Sequence, residues 1–272
     1  MHLNPSIAYK ATDKLSIGAS VNLQYFKAKR SSAVDCGTLD TLGKLGPPPG
    51  ALHLMLQLSD GFVKLEGDSW GGGYNFGVLY EFTKNKHMGI ACRSRIKQTL
   101  EGDDEFSNVP TGLAPVSVFK NSGIKTDITV TDSLSVSVFH NLTPTMKIMA
   151  FFTRTDWGLF KELRVRFDNP NQRDSVTAGN WLDIYRYSMG LIYVHDPKWT
   201  FRIGVAYDTS AVPNAEYRTP RIQDSNRRWI VAGIGYKVSQ AVSFNVGYAH
   251  IFIPNLSPTQ ASIRSPQETI QY

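Results

Sequence analysis

Cysteine is scarce: Cys36 and Cys92 are the only two in 272 residues, too few for a disulfide framework. Cys36 falls in a Gly-containing loop stretch and Cys92 inside a strand pattern, so both read as free thiols. No Cys/His group has zinc-ligand spacing. Charge is sparse too. Asp, Glu, Lys and Arg make up 19% of the chain, below the roughly 25% of soluble domains, and the net charge of +6 is mild. The basic residues form no run interleaved with stacking aromatics, so a nucleic-acid interface has no support. No apolar run reaches the roughly 18 residues of a transmembrane helix. Helical spans are excluded, but a membrane β-barrel is not, because its strands are only half apolar. Hydrophobic residues at 42% and aromatics at 11% argue against disorder.

The dominant pattern is a period of two. Tyr185, Tyr187, Met189, Leu191 and Tyr193 share one face, and Arg186, Ser188 and Gly190 the other. Phe201, Ile203, Val205 and Tyr207 alternate with Arg202, Gly204, Ala206 and Asp208. Tyr74, Phe76, Val78, Tyr80 and Phe82 stand opposite Asn75, Gly77 and Glu81, and Ile17, Ala19, Val21, Leu23 and Tyr25 opposite Ser16, Gly18, Ser20, Asn22 and Gln24. Such alternation marks strands with one apolar and one polar face. It predicts about ten strands, at 6–10, 15–29, 73–82, 88–100, 133–141, 147–167, 181–194, 199–208, 228–238 and 242–253. One set of connections is short (11–14, 83–86, 142–145, 195–198, 239–241), whereas 30–72, 101–132, 168–180 and 209–227 are long. Short turns at one end and long loops at the other, with aromatics near strand ends, fit an outer-membrane barrel. The fold class is therefore all-β, a transmembrane antiparallel β-barrel, read as a single domain over 1–272 with long extracellular loops at 30–72 and 101–132.

A more specific signal lies in residues 180–236: Asn180-Trp181, Asp183, Tyr185-Arg186-Tyr187, Gly190, Tyr193, Trp199-Thr200-Phe201-Arg202, Gly204-Val205-Ala206-Tyr207-Asp208, Val212-Pro213, Arg218-Thr219-Pro220, Asp224, Arg227, Trp229, Gly233 and Gly235-Tyr236. With residues 15–29, 70–82, Arg93-Ser94, Thr155, Trp157 and Phe160, this resembles the outer-membrane long-chain fatty acid transporters, the FadL-like family. The resemblance implies a fourteen-stranded barrel plugged by an N-terminal hatch, in the outer membrane of a Gram-negative bacterium. It implies uptake of long-chain fatty acids or other hydrophobic molecules by facilitated diffusion, with no cofactor and no chemistry on the cargo. Cargo would land in an apolar groove between the third and fourth extracellular loops, which correspond to 30–72 and 101–132. Outer-membrane lipids and lipopolysaccharide would surround the barrel, a monomer when complete. Matched strand by strand, about ten of fourteen strands are present. The hatch, the first three strands and the closing strand have no counterpart, and no secretory signal opens the chain. The sequence thus reads as an internal fragment that does not transport by itself.

Candidate groove residues are Leu52, Leu54, Met55, Leu56, Leu58, Phe62 and Val63 in the third loop and Leu113, Val116 and Phe119 in the fourth. Burial of an acyl chain there contributes about 0.8 kcal/mol per CH₂. The other reading of these residues, compatible with the first, is a small extracellular core made by the loops packing on each other. A carboxylate calls for a cation, best a bidentate Arg, and the candidates are Arg93, Arg95, Arg186 and Arg202 on polar strand faces and Arg30 near the third loop. The resemblance puts a head-group contact at about Ser32, with Arg30 the nearest basic residue. Each arginine could instead pair across strands with Glu81, Asp183 or Asp208. Catalysis has little support: Ser117 and Lys120 have a Ser-x-x-Lys spacing without its companion motifs, and Gly71-Gly72-Gly73 opens a strand rather than a helix. The alternatives are an aromatic-hydrocarbon or general pore in the same fold, or a surface adhesin or antigen acting through the long loops.

Overall fold

A computed structural model describes residues 1–42, 49–54, 60–110, 113, 117–218 and 224–254. Its strands are β1 (His2–Leu3), β2 (Ser6–Lys10), β3 (Leu15–Asp35), β4 (Asp60–Thr83), β5 (Lys86–Arg93), β6 (Ile96–Ser107), β7 (Gly123–Val130), β8 (Ser133–Asn141), β9 (Met146–Thr155), β10 (Glu162–Phe167), β11 (Ser175–Ala178), β12 (Ile184–Val194), β13 (Trp199–Asp208), β14 (Arg227–Lys237) and β15 (Ser243–Phe252). One short helix, α1 (Cys36–Thr41), follows β3 and is capped by the Asp35 carboxylate, which accepts from the Thr38 N–H. All fifteen strands belong to one sheet, and every pairing is antiparallel.

The sheet forks at β4. The lower half of β4 pairs with β5 from Asn75↔Arg93 to Thr83↔Lys86, and its upper half with β6 from Asp68↔Glu101 to Phe62↔Ser107. One branch runs β6–β7–β10–β11 and the other β5–β8–β9–β12–β13–β14–β15. The two branches are made by the same hairpins. β5 leads into β6 across 94–95, β7 into β8 across 131–132, and β9 into β10 across 156–161. This corrects the sequence reading in two places. The stretches 30–72 and 101–132 are strand for much of their length, with strand at 30–35, 60–72, 101–107 and 123–130. The expected strands at 88–100 and 147–167 are each broken in two, the second by a 3₁₀ turn at Trp157–Leu159.

The reason is an inversion of the two faces. Below the Tyr25–Trp70 ring pair, whose centroids are 5.2 Å apart, the outer face carries Val21, Tyr74, Phe76, Val78 and Ile90, and the inner face Ser20, Asn22, Asn75 and Arg93. Above it the outer face is charged, with cross-strand pairs Lys27–Glu66 (2.6 Å), Lys29–Glu66 (3.1 Å), Lys125–Glu101 (3.2 Å) and Arg166–Asp127 (3.0 Å). The inner face there is apolar: Val34, Val63, Leu65, Ile124 and Val165 join Leu113 and Phe119 in one buried cluster. Exposed ion pairs are individually worth little; here they mark which side faces water. β3 alone has 21 residues, on the order of 70 Å of strand and about 50 Å of height at barrel tilt, against a hydrocarbon core of about 30 Å. Its upper half therefore stands clear of the membrane as a cap with an ordinary water-facing exterior.

Two glycine positions make the fork possible. A Cβ on Gly71 would lie 2.6 Å from the Ile96 and Gln98 side chains, which fold over the β4 backbone on the inner side. A Cβ on Gly102 would overlap the Glu66 carbonyl oxygen across the β4–β6 ladder. We expect Gly102→Ala to loosen the cap by roughly 1–3 kcal/mol, the usual range for overpacking, seen as faster amide exchange and proteolysis in β6 and β7. Gly72→Ala, whose Cβ would meet only the Asn22 carbonyl at 3.9 Å, should leave both unchanged; equal effects would refute this account.

The cap should also respond to acid. The Lys27 ammonium, then that of Lys29, holds the Glu66 carboxyl at about 2 against an ordinary 4.5. A depressed carboxyl stabilises the fold fully above its unfolded pKa, and the contribution is lost as pH falls from about 4.5 towards 2. Amide protection at 27–30 and 64–68 should be flat near neutral pH and fall in that window. In Glu66→Gln the fall should vanish; if it persists undiminished, another group controls the cap.

Candidate functional site

Two features lie inside the sheet, an apolar core under the cap and a polar wall beneath it. In the core, Leu113 and Cys36 are completely buried and Val63, Leu39 and Phe119 nearly so. Burial pushes the Cys36 thiol pKa up; it and half-buried Cys92 are both free. Leu52 and Leu54 pack against this core from one side. Their backbone N–H groups both donate to the buried Asp40 carboxylate, at 3.2 Å each, which ties Leu52 and Leu54 to α1. Buried Asp104 holds the opposite connection, accepting from the backbone N–H and hydroxyl of Ser122. Its desolvation raises its pKa.

The structure thus brings Leu52, Leu54, Val63, Leu113 and Phe119 together. It separates Phe62, which points outward and is 46% exposed, because neighbours on a strand face opposite ways. Met55, Leu56, Leu58 and Val116 lie outside the described residues. Val63, Leu113 and Phe119 are packed rather than open, and Leu52 and Leu54 lie partly buried at the edge of the cap core.

The five candidate arginines do not form one cluster. Arg30 lines a small apolar cavity of about 80 Å³ in the cap, among Leu65, Leu100, Ile124 and Val165. Arg95 sits at the 94–95 break, its Nε 3.3 Å from Asp132. Arg186 lies 3.5 Å from Asp208 and over the Trp229 ring at 5.2 Å, while the Trp229 Nε1–H donates to Asp208 at 3.0 Å. Trp229 therefore faces inward, not into the aromatic rim where its place near a strand end suggested. Arg93 and Arg202 have only amide partners: Arg93 Nε donates to Asn75 (3.3 Å) and Arg202 to Asn245 (3.2 Å). Neither has a carboxylate partner among the described residues.

Arg93 is set in a wall of neutral hydrogen-bonding groups. Asn75 donates on to Ser20 (2.8 Å) and Asn22 (3.2 Å). Following the ladder, Arg93 pairs with Ser133 and Ser133 with Thr155, and in the next row Ser135, Thr153 and Arg186 are in register. Arg93 and Arg186 are thus three strand spacings apart, roughly 15 Å, with hydroxyls between them. Period-two reading finds the polar face but not its partners.

It also misses a second set of residues at the fork. A cavity of about 480 Å³ opens there, lined by Gly72, Gly73, Arg93, Arg95, Asp132 and Arg154 among others. Arg154 donates twice to Asp183, at 3.2 and 2.8 Å, and lies 2.9 Å from Asp156. The available signal was the loss of alternation at 94–95, 131–132 and 156–161. No cluster of metal-ligating side chains occurs among the described residues.

Comparison with known proteins fits this geometry. The profile of the family described as "Outer membrane protein transport protein (OMPP1/FadL/TodX)" matches residues 1–271. The long-chain fatty acid transport protein of Escherichia coli O6:H1 is 30% identical over 262 residues, 92% of this chain and 58% of that protein. Outer membrane protein P1 of Haemophilus influenzae is 30% identical over 263 residues, 92% of this chain and 55% of that protein. The crystal structure of a Pseudomonas aeruginosa FadL homologue superposes with a TM-score of 0.78 at 22% identity, covering 93% of this chain and 59% of that one. The Ralstonia pickettii toluene transporter TbuX gives 0.61 at 23% identity, covering 90% and 60%. The chain spans a little over half the length of these relatives. With a sheet whose outer face turns from apolar to charged at a ring pair, and a profile match along its whole length, the chain belongs to the FadL/TodX family of outer-membrane β-barrel transport proteins.

Proposed function

We propose that this protein takes up long-chain fatty acids, or closely related hydrophobic carboxylates, across the outer membrane by facilitated diffusion. The observation that carries the reading is Arg93. It is a cation on the inner face with an amide partner only, below a cap whose core is apolar. The acyl chain lands against Leu52 and Leu54, backed by Val63, Leu113 and Phe119, and the carboxylate is drawn down to Arg93, at the cap end of the hydroxyl-lined wall. Hydroxyls and amides accept and release a carboxylate without the desolvation cost of a closed ion pair, which suits transit. Arg186 serves the wall through Asp208 and Trp229, and Arg202 is a second stop nearer the short turns. No step alters the cargo and no cofactor takes part.

Two measurements test this. Charge-assisted hydrogen bonds contribute about 1.5–3 kcal/mol, so Arg93→Gln in the intact outer-membrane protein should lower oleate binding at least about tenfold. Binding of oleyl alcohol, which has the same chain and no carboxylate, should hardly change. Loss of both ligands alike, or of neither, removes Arg93 from the head-group role. Leu52→Ser with Leu54→Ser should weaken both ligands together, by about 0.8 kcal/mol for each acyl CH₂ left in water, with the heat-modifiable gel mobility of the folded barrel intact. Unchanged binding would place the landing surface elsewhere.

A further inference from the structure

On the outer face, β12 to β15 present a nearly uninterrupted apolar surface. Tyr185 to Tyr193, Trp199 to Tyr207, Ile230 to Tyr236 and Phe244 to Phe252 contribute aromatic or aliphatic side chains at alternate positions, His250 apart. One cation interrupts it. Arg228 is exposed and has no hydrogen-bond or ion-pair partner among the described residues. The register places it in the row Phe152–Tyr187–Tyr207–Arg228–Phe252, one step above the row Ala150–Met189–Val205–Ile230–His250. Both rows border a groove of about 1000 Å³ on this face, which Arg228 also lines. That volume is at the upper end of the roughly 300–1,000 Å³ typical of ligand sites. Among the outward-facing residues that line it Ala150 has the shortest side chain, and its flanks include Phe152, Tyr187 and Phe252.

A lone arginine facing hydrocarbon is costly at the bilayer midplane and nearly free at the interface, where it reaches polar head groups. Arg228 is at the first residues of β14, the end joined to the long 209–226 connection and away from the short turns. In this architecture that end is extracellular. We infer that this groove is a specific site for lipid A of the outer leaflet, its phosphate on Arg228 and one acyl chain lying over Ala150 and Val205. The charge fits: a phosphate is dianionic or nearly so, and an unpaired guanidinium is its preferred bidentate partner. The apolar groove spans two adjacent rows from β15 across to β8, with the guanidinium towards one end, so an acyl chain held by its phosphate there lies across the strands on apolar side chains. The inference rests on the outer-membrane placement and not on the choice of cargo.

The test is native mass spectrometry of the protein extracted from outer membranes in mild detergent and incubated with lipid A, dephosphorylated lipid A or phosphatidylglycerol. Lipid A should be retained, and the other two at least about tenfold less. Arg228→Gln should cut lipid A retention about tenfold, Arg228→Lys should keep part of it, and Ala150→Trp should abolish it by filling the groove. Undiminished retention by Arg228→Gln overturns the site, as does equal retention of dephosphorylated lipid A or phosphatidylglycerol. Arg228 contacts no described partner, so its variants report even where Ala150→Trp does not fold. Oleate uptake measured on the same variants should be unaltered. Lipid retention can therefore fail while uptake stands, and uptake can fail while the lipid site stands.

Discussion

A peptide group inside a bilayer has no water to bond, so each N–H and C=O must be paired within the sheet. The β3–β4 ladder meets that demand over its whole length, from Leu15↔Tyr80 to Asp35↔Asp60, and continues far past the height at which it is needed. The same pair of strands then meets two solvents. Since side chains alternate, the chain need only exchange which set is apolar. Val21 and Tyr74 face out below the Tyr25–Trp70 rings, whereas Val34 and Val63 face in above them. The interior follows: polar where lipid is outside, apolar where water is outside. The two environments lie in series along one ladder without a break in the backbone, the order the proposed amphiphilic cargo would require.

The fork is a consequence of that exchange. An apolar cap core must close tightly, while a membrane wall must stay wide around a lumen. Three hairpins therefore lose their ladder at one level, at 94–95, 131–132 and 156–161, and the strands beyond each break can curl independently. Gly71 lets Ile96 and Gln98 cross over β4. The charges at the breaks are paired in place: Arg95 with Asp132, and Arg154 with both Asp156 and Asp183. An interrupted sheet at the membrane boundary exposes polar backbone, and water drawn there by these pairs can satisfy it.

Sequence reading found the barrel wall because strict alternation over β12 and β13 leaves no other regular structure with that period. It took β6 from residue 101 onward and all of β7 for loop because their outer positions, such as Glu101, Glu105, Lys125 and Asp127, are as polar as loop residues. Val63, on the inner face of the upper half of β4, was likewise read as part of an exposed loop patch. Period-two logic fixes which residues share a face but not which face is wet, and the inversion hid there. The candidate arginines were legible as inner-face residues, since Arg93, Arg186 and Arg202 alternate with outer-face side chains. Of their partners, Asp208 stood among the three carboxylates named for them and does pair with Arg186, but which arginine it meets, and the amide partner of Arg93, were not legible. Asp208 lies one strand away from Arg186 and Asn75 one strand away from Arg93, and such neighbours depend on register, which no single strand encodes.

Register also decides which inner arginine can meet a cargo. Arg186 is held between a buried carboxylate and an indole that itself donates to that carboxylate. A ligand carboxylate must displace Asp208 to reach it, leaving Asp208 buried without its cation and with the Trp229 indole N–H as its remaining partner, which is costly. Arg93 asks for no such exchange. Its amide partner Asn75 retains Ser20 and Asn22 when the guanidinium turns away. An arginine bound to an amide is thus available at low cost, and one bound to a carboxylate is part of the wall. The same rule explains Arg154 at the fork, whose two carboxylates make it structural, and Arg228 on the lipid face, whose lack of any described partner leaves its charge to be met from the membrane.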